Sequence, residues 1–268
     1  MPFALASFTM ALVRGGESFS GVQLLWIVLC MVFARSAAMG FNRYADRFID
    51  AKNSRTAGRH IPAGAISPRS ALWFVGVNCL LFVVSAGMLN PLCLFLSPVA
   101  LLVVLGYSYT KRFTSLCHFV LGLGLSIAPM GAWLAVTGRF HPLPLLLSTA
   151  VLFWTGGFDI IYALQDQAFD RNQKLFSLPS ALGPKEALRI SSGVHLFSAL
   201  VLAFLGWYGN FGLFYWIGYA LFAVLLFWQH RIVSAENGER AGEAFFNGNS
   251  VAAAVFSAFL IADLIVFG

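Results

Sequence analysis

Two long stretches, residues 70–110 and 190–230, contain no formally charged side chain. Each is about twice the ~20 residues that a helix needs to cross ~30 Å of hydrocarbon. Each is also broken near its middle, at Asn90–Pro91 and at Gly206-Trp207-Tyr208-Gly209-Asn210. They read as helical hairpins in a bilayer, where a spanning helix satisfies its backbone groups internally. Residues 113–138, 140–158 and 244–262 add single spans, as do residues 22–41 despite Arg35. Residues 1–13 are apolar but short for a crossing, and they lack the charged start and small-residue cleavage pattern of a signal peptide. They are read as a clipped first span, so the expectation is one all-α integral membrane domain over residues 1–268, with nine crossings.

Composition excludes the main alternatives. Hydrophobic residues make up 59% of the chain and charged residues 10%, against about a quarter charged in soluble domains. That leaves no room for a soluble enzyme on a membrane tail, or for the basic soluble domain that nucleic-acid binding would need. The sequence pI of 9.4 follows instead from topology. All of the 17 Lys and Arg except Arg14, Arg35 and Arg139 fall in four segments, at residues 43–69, 111–112, 171–189 and 231–240. These are separated by pairs of spans. Because basic residues in short loops stay in the cytoplasm, the expected topology has the N-terminus inside and the C-terminus outside. Cys30, Cys79, Cys93 and Cys117 lie in apolar runs without CxxC spacing, which points to packing rather than disulfides or zinc. The five histidines have no i, i+4 pair, and residues 236–243 read as a solvated loop.

With only 11 acidic residues in the chain, two acidic clusters carry the chemical information. Asn42, Asp46 and Asp50 recur every four residues and are expected on one face of a continuous helix. Hard oxygen ligands at that spacing suit Mg²⁺, which is normally held by one or two carboxylates together with substrate phosphates. The plainer reading pairs Asp46 and Asp50 locally with Arg43 and Arg47. The second cluster, Asp159, Tyr162, Asp166 and Asp170, again falls on one helical face. An ionisable group directly after an apolar span, as Asp159 is, marks a functional site. Arg55, Arg59, Lys111 and Arg112 lie on the same predicted side of the membrane, where cations would stabilise charge developing on a departing diphosphate.

Asn42-x3-Asp46-x3-Asp50 followed by Arg55-Thr56-Ala57-Gly58-Arg59-x2-Pro62, and later Tyr162-x2-Gln165-Asp166-x3-Asp170, resembles the two aspartate-rich motifs of the UbiA superfamily of intramembrane prenyltransferases. The strings Thr56-Ala57-Gly58-Arg59 and 158–166 are most similar to its quinone-pathway branch, the 4-hydroxybenzoate polyprenyltransferases and related enzymes of the futalosine route to menaquinone. The resemblance implies a nine-helix bundle with a cytoplasmic cap region over a central cavity, in a bacterial inner membrane. It implies that Asp46, Asp50, Asp166 and Asp170 bind Mg²⁺, with Asn42 as a polar companion. Arg55, Arg59, Lys111 and Arg112 would bind the diphosphate of a polyprenyl diphosphate. Asp159 and Tyr162 would sit beside the aromatic acceptor and the reacting carbon, and Lys111 would assist the chemistry.

The expected reaction is electrophilic prenylation of an aromatic ring through an allylic carbocation in a water-poor pocket. Tyr162, Tyr107 and Tyr109 could stabilise the cation through their ring faces. Two departures from the family pattern stand out. Arg43 replaces an aspartate found in many members, and the chain begins inside what should be its first helix, so the start is truncated or the acceptor is bound differently. Acceptors such as dihydroxynaphthoate, homogentisate, haem or chlorophyllide stay open at this point. So do a membrane transporter and a noncatalytic scaffold.

Overall fold

A computed structural model describes residues 1–233 and 249–268. Among these residues the chain is all-helical, with no strand. The helices are α1 (Pro2–Gly15), α2 (Gly21–Ala45), the short α3 (Arg47–Asp50), α4 (Pro68–Gly87), α5 (Pro91–Thr110) and α6 (Cys117–Thr137). They continue with α7 (Pro142–Ala163), a 3-10 turn (Leu164–Asp166), the short α8 (Gln167–Asn172) and α9 (Leu178–Leu182), α10 (Pro184–Tyr208), α11 (Leu213–Ile232) and α12 (Ser250–Phe267). The loop expected at residues 236–243, with Arg240, lies outside the described residues, as does the start of the span expected at 244.

Eight of the described helices are long and apolar enough to cross a membrane, against the nine expected. The difference is α1. Its 14 residues make a helix of about 21 Å, short of the hydrocarbon thickness. It is nonetheless an internal strut: Phe3, Ala6, Phe8, Met10 and Ala11 are buried, and it packs against α6 and α12.

The hairpin breaks follow local chemistry. Asn90 caps α5 by accepting from the Cys93 N–H at 2.9 Å, and Pro91 occupies the first turn, where its missing N–H costs nothing. Pro98 lies inside α5, and a helical proline removes the donor that the carbonyl four residues earlier would receive. That carbonyl, of Leu94, accepts from the Ser97 hydroxyl at 2.8 Å instead. The break between α10 and α11 is held from a distance. No side chain of its own sequence caps α11, and Asp263 of α12 accepts from the backbone N–H groups of Gly212 (2.8 Å) and Tyr215 (3.1 Å). An otherwise unexplained intramembrane acid thus satisfies helix-end donors for which hydrocarbon has no substitute.

At the centre is α7, the most buried of the eight spanning helices. It is fixed to α10 by a ladder in which Ser191, His195 and Ser198 donate to the carbonyls of Gly157 (2.7 Å), Trp154 (3.2 Å) and Ala150 (2.8 Å). A carbonyl only accepts, so Nε2 of His195 carries its proton, and Nδ1 accepts from His230 Nε2 at 2.8 Å. Two glycines make these approaches possible. A methyl group on Gly157 would lie 2.2 Å from the His195 ring, and one on Gly122 would lie 2.3 Å from the Leu152 carbonyl oxygen. Gly87 and Gly124 have only ordinary neighbours.

The main apolar core, including Met10, Trp133, Leu147, Trp154, Tyr215, Phe222 and Phe256, joins α1, α6, α7, α10, α11 and α12. The basic segments, as far as they are described, come together at one end of the bundle, where residues from 42–59, 111–112 and 169–175 line one cavity and Val233 packs with Ile161, Leu164 and Leu188.

Removing the distant cap should be felt globally. Asp263→Ala is expected to lower unfolding stability by about 1–3 kcal/mol, the cost of leaving buried backbone donors without a partner, with Asp263→Asn restoring part of the loss. Thermal unfolding in lipid nanodiscs measures both.

Candidate active site

The two acidic motifs are not continuous helices. Helix α2 ends at Ala45, Asp46 adopts φ −92° and ψ 5°, and α3 restarts at Arg47. Helix α7 ends at Ala163, passes through the 3-10 turn, and Asp166 adopts φ −103° and ψ 5° before α8. Both aspartates therefore occupy the same bridge region of backbone space, between helix and strand. The first break preserves the helical ladder, with Asp46 N–H to Asn42 O at 2.9 Å and Asp50 N–H to Asp46 O at 2.7 Å. The four-residue spacing thus still brings Asn42, Asp46 and Asp50 to one cavity. Arg112 assists the ending of α2 by donating to the Ala45 carbonyl at 2.6 Å, as basic side chains do at helix C-termini.

All the predicted site residues converge. Asn42, Asp46, Asp50, Arg55, Arg59, Lys111, Arg112, Asp159, Tyr162, Asp166 and Asp170 line one cavity of about 190 Å³ at the basic end of the bundle. The acidic groups come from the two broken helices. Arg55 and Arg59 come from the connection between α3 and α4, and Lys111 and Arg112 from the end of α5.

Each motif carboxylate has its own cation. Arg112 lies 3.3 Å from Asp46, Arg59 reaches both oxygens of Asp50 at 2.7 and 2.8 Å, and Lys111 lies 2.8 Å from Asp170. Arg55 clasps Asp166 through Nε, at 3.0 Å, and Nη2, and its Nη1 donates to the Tyr162 hydroxyl at 3.0 Å. The local pairing of Arg43 and Arg47 with the first motif does not form. Arg47 instead lies over the rings of Tyr44 and Phe48, 4.2 and 4.3 Å from their centres.

These pairs cross between elements and hold the site together. Asp166, on the second motif, is bound by Arg55 and by the Asn53 amide (3.0 Å), both from the loop after the first motif. Burial by itself would lower the ionisation range of Lys111, but the Asp170 carboxylate raises it above that of ordinary lysine. For Asp46, burial dominates and pushes the carboxyl up, against the opposing pull of Arg112.

Among the described residues no three His, Cys, Asp or Glu side chains are grouped to hold a metal ion alone. The oxygen donors nevertheless fit one that arrives with phosphate. Asp170 is fully buried, and apart from the Lys111 ammonium beside Oδ1 its oxygens are turned to the cavity lining without a well-formed hydrogen bond. The surrounding donors are carboxylates and amides, the hard set that suits Mg²⁺ with water and phosphate completing its shell.

A family model described as the UbiA prenyltransferase family matches residues 1–251. The chain belongs to this family. It is 31% identical over 245 residues to the 4-hydroxybenzoate octaprenyltransferase of Aeromonas hydrophila, covering 90% of this chain and 85% of that protein. The apo structure of a UbiA homologue from Aeropyrum pernix K1 superimposes with a TM-score of 0.88 at 30% identity, covering 98% of this chain and 97% of that one. A UbiA homologue from Archaeoglobus fulgidus, solved bound to DMAPP and Mg²⁺, has the same fold, with a TM-score of 0.70 at 18% identity, covering 99% of this chain and 94% of that one.

In this UbiA-family chain the cavity residues not predicted as site residues include Asn53, Thr56 and His118. Asn53 and Thr56 lie beside the predicted arginines without a motif of their own, although Thr56 belongs to the Thr-Ala-Gly-Arg string. His118 looked isolated because its partner, Asp159, is on another helix. Of the three tyrosines proposed around the cation, Tyr107 and Tyr162 line the cavity. Tyr109 does not: it is 40% exposed and packs on Phe41 and Arg112. Arg35 is likewise exposed and outside the cavity lining.

The Lys111–Asp170 pair gives a direct test of the electrostatics. Lys111→Met should cost about 2 kcal/mol of stability. This is less than the roughly 3–5 kcal/mol of a fully buried pair, because the Lys111 side chain is 35% exposed. The double variant Lys111→Met/Asp170→Asn should recover most of it in thermal unfolding.

Proposed function

We propose that this chain transfers a polyprenyl group from polyprenyl diphosphate to an aromatic acid, of the 4-hydroxybenzoate or dihydroxynaphthoate type, in ubiquinone or menaquinone biosynthesis. The observation that carries this reading is the single cavity in which four motif carboxylates face four cations. Membership of a prenyltransferase family supports it. So do the name of the Aeromonas relative and the DMAPP and Mg²⁺ bound to the Archaeoglobus homologue.

In this reading Asp46 and Asp50, with Asn42 beside them, and Asp166 and Asp170 hold Mg²⁺. Mg²⁺ there neutralises the diphosphate and stabilises the charge it gains on leaving. Arg55, Arg59, Lys111 and Arg112 are then free to turn from their carboxylates to diphosphate oxygens. Such preplaced cations favour the charge that develops as the bond breaks. Tyr162 and Tyr107 present ring faces to the allylic cation, and apolar Leu121, Phe169 and Leu175 in the same lining exclude the water that would trap it. Asp159 accepts the proton lost when the ring regains aromaticity.

The protein is then an integral protein of a bacterial inner membrane. Its basic end, and with it the cavity, faces the cytoplasm, in keeping with the distribution of Lys and Arg.

The test is product formation by purified protein in lipid with Mg²⁺ and a polyprenyl diphosphate, followed by mass spectrometry with 4-hydroxybenzoate and with dihydroxynaphthoates. Prenylated acid should appear with one acceptor class, require Mg²⁺, and fall by about 10²-fold or more in Asp46→Ala and in Asp166→Ala, the scale on which a lost charge-stabilising group acts. Absence of both product and diphosphate release in folded, Mg²⁺-binding protein would sink this reading.

A further inference from the structure

His118 is almost fully buried in the first turn of α6, and the two ring nitrogens have different partners. Nε2 lies 3.2 Å from the backbone N–H of Leu178, the first residue of α9. A backbone N–H can only donate, so Nε2 carries a lone pair and the ring proton resides on Nδ1. Nδ1 lies 2.7 Å from Asp159 Oδ2, which therefore accepts that proton's hydrogen bond. Oδ1 is left to the cavity, which both residues line.

The anchor for this arrangement is itself fixed. Leu178 follows Ser177, whose hydroxyl forms a reciprocal capping box with Ser180. Phe176 N–H donates to the Lys111 carbonyl at 2.8 Å, and the Phe176 carbonyl accepts from the Cys117 thiol at 3.5 Å. The segment before α9 thus connects the end of α5, the start of α6 and, through His118, the inner end of α7.

We propose that His118 is a positioning residue for Asp159: held as its Nδ1–H tautomer by the Leu178 N–H, it fixes Oδ2 and aims Oδ1 at the ring carbon that loses its proton. This rests on the prenyl-transfer reading above. In the step concerned, the C–O bond to diphosphate breaks with diphosphate keeping the electron pair, and the aromatic carbon then bonds to the allylic cation so formed. The proton then leaves that ring carbon for Oδ1, and the carboxyl later returns it to water. His118 itself takes no proton, because Nε2 is occupied. Its contribution is orientation, of the kind a buried carboxylate partner gives an imidazole, with the roles reversed.

Two readouts test this. ¹⁵N NMR of histidine-labelled protein in nanodiscs, with His118 assigned by its loss in His118→Asn, should report a neutral ring protonated at Nδ1. An Nε2–H tautomer or an imidazolium would overturn the proposal, whether or not the protein makes product. Kinetics separate positioning from bulk. Asn keeps a donor in the place of Nδ1, whereas Gln reaches toward Leu178 and leaves Oδ2 without a donor. His118→Gln should lose about 10-fold or more in kcat with KM for polyprenyl diphosphate unchanged, and His118→Asn should stay within about threefold of the parent. Asp159→Asn should mask any further loss from His118→Gln. Equal activity of the two His118 variants, or losses that multiply with Asp159→Asn, would overturn it. Failure of the unsubstituted protein to prenylate any acceptor would count against the functional reading alone, since the tautomer is measured independently.

Discussion

A carboxylate withdrawn from water must find an opposite charge or give up its own, and this fold withdraws four of them into one cavity. Asp46, Asp50, Asp166 and Asp170 are each matched to a separate cation. The matches run between elements distant in sequence, so the electrostatic requirement and the assembly of the bundle end are one constraint. The loop from α3 to α4 is held down because Arg55, Arg59 and Asn53 must reach Asp166 and Asp50. The end of α5 is held because Lys111 and Arg112 must reach Asp170 and Asp46.

In the proposed function the same pairing lets one set of residues take a metal and an anion in turn. A closed cage of carboxylates would be strongly anionic without its metal. Here the cations complete the shell, and they are of the type that binds phosphate oxygens best, with three guanidinium forks among them. The backbone breaks at Asp46 and Asp166 share one local conformation. Each places an aspartate at the junction of a long and a short helix, so the two halves of the site use the same geometry twice.

Deeper in the membrane, the rules are those of hydrocarbon. Asp263 caps a neighbouring helix, Ser97 satisfies a carbonyl exposed by Pro98, and α10 hydroxyl and imidazole groups lock onto α7 carbonyls. The last of these contacts fix α7 to α10, and α7 carries Asp159 and Tyr162 to the cavity. His118 joins the same helix to the segment before α9.

Span placement was legible in the sequence for the eight long helices, because the bilayer imposes a fixed thickness and a strong penalty on charge, whereas the short α1 was counted as a ninth crossing. The Asn90–Pro91 break and the clustering of Lys and Arg are read directly from residue type. The convergence of Asn42, Asp46 and Asp50 on one cavity follows from their spacing, because the four-residue ladder survives the break at Asp46. What only the tertiary structure decided is partnership. Local spacing suggested Arg43 and Arg47 as counter-ions, but Arg112 and Arg59 take those places. His118 and Asp159 are 41 residues apart, and Asp263 meets the start of α11 across 48 to 51 residues. A periodicity reports which face of a helix a residue occupies. It carries no information on which other helix that face will meet, since that is set by the packing of side chains from the whole bundle.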